Sequence, residues 1–297
     1  MYRSCITAVL ATTLCIGLPL NAAMPTGTES FICATPALPA PLASAVQERL
    51  GHAPTAWPKT DLIIPVAVHL ILWGKKGDFS TAVIQTLIDN MNWAYDGTGV
   101  QFLLVRIDRS NNKAWYQNCL KNEPKMKKRL AYFPADVLNI YSCFMPGLIP
   151  GTTTLGIATQ PFGNFPQFRS YPENHYMQGI IMAPNTMPVT TSLPDYSYGL
   201  TAAHEAGHWL GLFHPFMPGT IGIPSGCSEP GDYVDDTPIQ NLPTGACVQN
   251  DTCPQPGRDD FTNFMDYRPD DCADHFTNGQ VNRMQGVIIN YRPSLFQ

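Results

Sequence analysis

His204-Glu205-Ala206-Gly207-His208-Trp209-Leu210-Gly211-Leu212-Phe213-His214 is where this chain concentrates its chemistry: three of its seven histidines fall in this one stretch. At about 100° per residue, positions 204 and 208 lie one helical turn apart on the same face, so both imidazoles reach one metal ion, with Glu205 projecting beside them. Gly211 accepts φ > 0 without a Cβ clash, so the helix is expected to end there and turn His214 back as a third ligand. Three neutral nitrogens with one open position describe a catalytic zinc site. A competing zinc geometry takes a Glu from a later helix as third ligand; Gly211 with His214 argues against it. The plain alternative, surface histidines on an amphipathic helix, does not explain this spacing.

Working outward, the metal helix is expected over Gly199 to about Leu212, and most of the regular structure precedes it. Leu62 to Leu72 is apolar and β-branched enough for a strand buried on both faces. From Ser80, a good N-cap, Ile84, Leu87, Ile88, Met91 and Tyr95 recur at helical spacing and stop before Gly97 and Gly99, which predicts a helix backing the sheet. Shorter strands at 101–107, 137–142, 155–159 and 179–183 bring the sheet to about five strands. Lys121 to Arg129, with five Lys or Arg, reads as the solvated face of a short helix rather than a polyanion site. After Pro184 the chain is irregular apart from the metal helix and a final helix, Thr277 to about Tyr291, opened by a capping box.

The ends and the composition set the context. Met1 to Arg3 followed by apolar Cys5 to Leu20 and Asn21-Ala22-Ala23 reads as a secretory signal over 1–23; the run is too short, and broken by Pro19, for a membrane anchor. Residues 24–60 are proline-rich and loose, with one helix-like piece near Leu42 to Leu50, and read as a pro-segment or N-terminal extension before a domain over 61–297. With 18 Lys+Arg against 23 Asp+Glu and 14% charged residues, no basic surface is available for nucleic acid. The 28 Pro and 23 Gly predict long ordered loops. Removing the signal leaves seven of the nine Cys, an odd number. The acidic loop from Glu229 to Thr237 offers the Asp232 carboxylate, the Val234 carbonyl and Thr237 to a structural calcium ion, or an Asx-type turn that needs none. Asn250-Asp251-Thr252 is an N-glycosylation sequon.

The stretch from His204 to His214 resembles the long zinc-binding motif of the metzincin peptidases at every specified position. Asn263-Phe264-Met265-Asp266-Tyr267 is similar to their Met-turn. Residues 231–238 and 276–284 are similar to the pappalysin branch, particularly the fungal secreted extracellular metalloproteases. The resemblance covers about 61–297. It implies an α+β fold: a twisted five-stranded mixed sheet with backing and active-site helices, over an irregular lower subdomain with a Met-turn and a C-terminal helix. It also implies a secreted zinc endopeptidase, acting as a monomer on protein or peptide substrates, with no membrane or nucleic-acid partner.

In that family frame His204, His208 and His214 hold zinc, Glu205 is the general base, and Met265 is a hydrophobic floor. Tyr267 either donates to the tetrahedral intermediate or simply packs below the site. Asp271 occupies the position at the base of the S1′ pocket, where a carboxylate favours Arg or Lys at P1′, although an exposed loop Asp is common. The family pattern suggests Cys227 with Cys253 and Cys247 with Cys272; Cys119 with Cys143 is a third expectation. Cys33 is left in the pro-segment, where its thiolate would close the zinc position and keep the enzyme latent, against a further disulfide or a free thiol. Relatives carry Cys-Gly-Thr there and this chain has Cys33-Ala34-Thr35. A catalytically silent metal-binding or adhesion protein on the same fold is the alternative, and intact Glu205 favours the enzyme.

Overall fold

The structure is a computed structural model that describes residues 30–51, 57–58, 60–147, 152–188, 190, 192–219 and 224–296. The signal expected over 1–23 lies outside the described residues.

The apolar run that opens the ordered chain becomes β2 (Leu62–Leu72), which is buried on both faces from Val66 onward because it is a central strand. On one side it pairs with β3 (Val100–Asn111) and on the other with β4 (Leu138–Ser142), both parallel. β6 (Ile180–Met182) continues the parallel set, and β5 (Thr152–Ala158) joins it antiparallel. The backing helix α2 (Thr81–Ala94) starts where Ser80 Oγ accepts from the Val83 amide at 3.3 Å and buries Ile84, Leu87, Ile88 and Met91. Just past its end, the Tyr95 hydroxyl donates to the Ala203 carbonyl at 3.0 Å and so ties the backing layer to the metal helix.

The sheet has six strands rather than the expected five, in the order β1-β5-β6-β4-β2-β3. The extra strand, β1 (Ser30–Cys33), comes from the stretch read as a loose extension and pairs parallel with β5, Ile32 against Thr154 and Cys33 against Gly156. Four residues among prolines carry too little local pattern to announce a strand; the open edge of β5, distant in sequence, creates it. The same extension supplies α1 (Ala40–Gly51), whose Ala43 and Val46 pack with Leu38 against Phe213 and Val287.

One feature of the basic stretch differs from expectation. In α4 (Cys119–Leu130), which follows the short α3 (Lys113–Gln117), Lys121, Lys125, Lys128 and Arg129 are exposed but Lys127 is fully buried. Its ammonium lies 2.9 Å from Glu123 and donates to the Met177 carbonyl at 2.8 Å, while Arg169 grips the same carboxylate with two nitrogens at 2.6 and 2.7 Å. Burial alone would raise the Glu123 pKa, but the two cations hold it down to about 2. The helical period of α4 places Lys127 one turn from Glu123, and the loop bearing Arg169 covers both.

Below the metal helix, the described residues between Leu210 and Phe276 form no long helix or strand. Disulfides Cys227–Cys253 and Cys247–Cys272 cross-link it, and Cys119–Cys143 joins the start of α4 to the end of β4. The closing helix α6 (Asn278–Tyr291) begins at a reciprocal capping box between Thr277 and Gln280. Among the described residues no helix is long and apolar enough to cross a membrane.

Candidate metal centre

Helix α5 (Leu200–Trp209) lies across the sheet, buried along its whole length, so its imidazoles are presented in a dry setting. The helix stops at Trp209, one residue past His208. Gly211 takes φ +92, and a Cβ there would sit 2.6 Å from a Val287 methyl, so only glycine lets the chain turn back. After that turn His214 Nε2 lies 3.2 Å from His204 Nε2 and 2.9 Å from His208 Nε2.

The separation from His204 is close to the edge, about 3.3 Å, of a tetrahedron with arms of about 2.0–2.1 Å, the usual length of a zinc–nitrogen bond, and the separation from His208 is shorter than that edge. The protonation pattern agrees. His204 Nδ1 donates to the Phe264 carbonyl at 2.7 Å and His208 Nδ1 to the Leu212 carbonyl at 2.8 Å, which leaves both Nε2 atoms as bare lone pairs aimed at one point. Burial lowers the pKa of all three, that of His208 to about 4, so they are neutral imidazoles, the form that binds a metal. The donor set fits a zinc ion.

Glu205 is fully buried beside them. Its Oε2 accepts from the Thr35 hydroxyl at 3.0 Å, its Oε1 has no hydrogen-bond partner, and burial pushes its pKa up to about 8. Gly156 on β5 makes the space, since a Cβ there would strike the Glu205 carboxyl group. An isolated glycine inside a strand pattern was the available sign of that close approach.

The floor comes from the loop half. Asn263 folds the turn by accepting from the Met265 amide at 2.9 Å and donating to Gln280 at 2.9 Å. Met265 then packs under the metal helix at Gly207, where a Cβ would meet its sulfur at 2.5 Å. Asp266 accepts from the Tyr267 amide at 2.7 Å, from Gln240 at 3.0 Å, and from both the amide and the hydroxyl of Thr244. Tyr267 stands with its ring 4.8 Å from that of His214 and donates its hydroxyl to the Cys33 carbonyl at 2.7 Å.

That last bond belongs to the N-terminal segment, which runs through the site. Cys33 Sγ lies within 4.8 Å of the three imidazole nitrogens and is the one free cysteine among the described residues. Burial, then the Glu205 carboxylate, push its thiol up, so only a cation at the convergence point would favour the thiolate. Thr35, which the sequence reading missed, bonds Glu205 and also accepts from the Ala158 amide at 2.7 Å.

Asp271 and the acidic-loop residues Asp232, Val234 and Thr237 do not line the pocket beside His204 and Glu205. Asp271 is exposed, near Cys247, whereas Asp270 is buried and lines that pocket; both line a neighbouring pocket with Tyr198 and Leu200. In the short helical turn 270–272 the two adjacent aspartates differ in burial. In the acidic loop, Asp232 Oδ2 and the Thr237 hydroxyl are buried without partners, and the Val234 carbonyl accepts from the Thr237 amide at 3.2 Å.

A family model described as pregnancy-associated plasma protein-A matches residues 172–289, which contain the three histidines and the Met-turn. An extracellular metalloprotease of Arthroderma benhamiae is 38% identical over 225 residues, 75% of this chain and 71% of the relative. One from Colletotrichum graminicola is 36% identical over 73% of this chain and 72% of its own. The promirolysin of Tannerella forsythia superposes with a TM-score of 0.71 at 23% identity, over 86% of this chain and 90% of that one. Mature mirolysin in complex with a cleaved peptide gives 0.64 at 24% identity, over 81% of this chain and 100% of that one. At such identities these two structures establish the metzincin fold. With the histidine motif, the Met-turn and the relatives together, the chain belongs to the pappalysin family of metalloproteases.

Proposed function

We propose that this protein is a secreted zinc-dependent endopeptidase made with its own inhibitory segment. The observation that carries the reading is the convergence of three neutral imidazoles beside a buried carboxylate with one oxygen unused. Bound zinc would supply Lewis-acid polarisation of a peptide carbonyl and a lowered pKa for water. His204, His208 and His214 would hold it. Glu205 takes a proton through Oε1 and returns it to the leaving amine. Tyr267 donates its hydroxyl to the developing oxyanion, a role supported by its bond to a backbone carbonyl lying in the cleft, that of Cys33. Met265 shapes the floor by contact with Gly207 and is not a ligand.

The N-terminal extension is read as a pro-segment over 24–60, with 61–297 as the catalytic domain. Supporting it, Cys33 joins the histidine set, Thr35 occupies Glu205, and β1 takes the edge of β5 that an extended substrate would use. A structural calcium ion at Asp232, Val234 and Thr237 is supported by the two unpartnered oxygens there. Secretion is supported by the extracellular metalloproteases among the relatives and by the disulfides. A preference for Arg or Lys at P1′ through Asp271 is part of this reading, supported by its place beside Asp270 and Leu200 in a pocket next to the start of the metal helix.

Hydrolysis of casein tests the reading. Zinc chelation is expected to abolish cleavage and zinc to restore it, and Glu205→Ala is expected to lower kcat by about 100- to 10,000-fold with metal content unchanged. Undiminished cleavage in Glu205→Ala would end it. For latency, unprocessed Cys33→Ser is expected to cut casein faster than the unprocessed wild type; equal inactivity removes the thiol from the role.

A further inference from the structure

The last carbonyls of helix α5 need partners, and the chain beyond must carry His214 back over the helix. Two arginines of α6 and its C-cap meet that need. Arg292 is fully buried against the Trp209 ring, 3.7 Å from the centroid, and its Nε donates to the Trp209 carbonyl at 2.9 Å. Arg283 reaches past the helix end: its Nε donates to the Gly211 carbonyl at 2.9 Å, inside the turn. Both cations oppose the negative end of the helix dipole.

The three metal-directed rings are not oriented alike. His204 and His208 are each fixed through Nδ1 by a backbone carbonyl. Among the described residues no hydrogen bond fixes Nδ1 of His214, whose ring stacks on Phe216 and meets Tyr267 edge-on, both at 4.8 Å between centroids. The backbone between Gly211 and His214 therefore carries the burden of placing the third nitrogen. Arg283 holds that stretch at two points, the Gly211 carbonyl and Phe213, whose ring centroid lies 4.5 Å from the guanidinium carbon. Val287, one turn along α6, leaves no room for a side chain at Gly211. The guanidinium is itself held from the far side: it is 6% exposed, and Nη1 donates to Gln47 Oε1 of α1 at 2.7 Å.

We propose that Arg283 is a positioning residue for the metal centre: through the Gly211 carbonyl and Phe213 it holds the turn that brings His214 to the other two imidazoles. A planar guanidinium can donate to Gly211 and to Gln47 while its face covers Phe213, which a single ammonium cannot do. The proposal rests on the zinc reading of the three histidines, but its test reads metal affinity and not turnover.

The full, unprocessed chain is to be titrated with zinc against a competing chelator, and each variant melted with and without the metal. Arg283→Gln is expected to weaken zinc binding about 10- to 100-fold, the usual loss when a group that orients a ligand is removed. Arg283→Lys keeps the charge and one donor and is expected to lose about 3- to 10-fold. Gln47→Ala leaves the Gly211 bond in place and is expected to stay within about 2-fold of the wild type. If Arg283→Gln melts lower without metal yet binds zinc as the wild type does, Arg283 only stabilises the fold and the proposal is overturned. An equal loss of affinity in Gln47→Ala overturns it too, because the docking of α1 and not the turn would then govern the metal. Should Arg283→Gln not fold, Arg283→Lys decides, and wild-type affinity in that variant overturns the proposal. A wild-type chain that binds no zinc defeats the proposal and the endopeptidase reading together. One that binds zinc but, after limited proteolysis, leaves casein uncut ends only the endopeptidase reading, and the affinities still decide the role of Arg283.

Discussion

Leu70 in the middle of β2 and Asp266 under the metal centre are both almost inaccessible, at 0% and 1% exposure, yet opposite causes keep them there. Leu70 is buried because water rejects it, among Val66, Val68, Ile140 and Ile180 in a core that spans the sheet and both its helices. Asp266 is buried against its own preference for water, and the hydrogen bonds from Thr244, Gln240 and the Tyr267 amide compensate for that. The sheet half is held by apolar area. The loop half, too irregular to bury much of it, is held by disulfides and by saturated polar groups. The metal centre sits on the seam, with base and two ligands on a helix of the first half and floor and tyrosine from the second. Its rigidity therefore depends on both kinds of force.

Three measurements would sharpen or break that contrast. Leu70→Ala should destabilise the whole domain by about 2–5 kcal/mol in denaturant unfolding, the cost of lost burial plus a cavity. A loss below about 1 kcal/mol would mean that the sheet is not the stabilising half. Cys247→Ser with Cys272→Ser should cost about 2–4 kcal/mol, since the bridge closes a span of 25 residues. Hydrogen exchange should place the new opening in 240–275 while β2 and β4 stay protected, whereas uniform loss of protection would show the two halves to be one cooperative unit.

The smallest effect concerns His275, whose pKa is raised to about 9 by hydrogen bonds from its ring to Asp260 at 3.0 Å and Asp274 at 2.6 Å. Since the folded value lies above the ordinary 6.5, the stabilisation is complete below pH 6.5 and is lost as pH rises through 9. The melting temperature should fall between pH 6.5 and 9.5 by a margin that disappears in His275→Gln. The ring is partly exposed, so the margin should also shrink in high salt.

Much of this was legible in residue order. Helical period alone aligns His204 with His208, the glycine at 211 marks the turn that returns His214, and β2 and α2 announce themselves by strand and helix periodicities over long windows. The sixth strand was not legible, because four residues gain strand geometry only from the free edge of β5. Nor was the burial of Lys127, which depends on a loop arriving more than thirty residues later with Arg169. At the site, the burial of Asp270 beside exposed Asp271 and the approach of β5 to Glu205 at Gly156 were set by neighbours distant in sequence.

The chain by itself determined which atoms meet a metal, because those atoms lie within one helix and one turn and their geometry follows from local backbone preferences. Only the tertiary structure decided that Cys33 and Thr35 lie across the metal centre and that the Tyr267 hydroxyl meets the Cys33 carbonyl. Those relations join segments up to 234 residues apart, Cys33 to Tyr267. Contacts of that span are set by the packing of whole layers, which no local periodicity encodes.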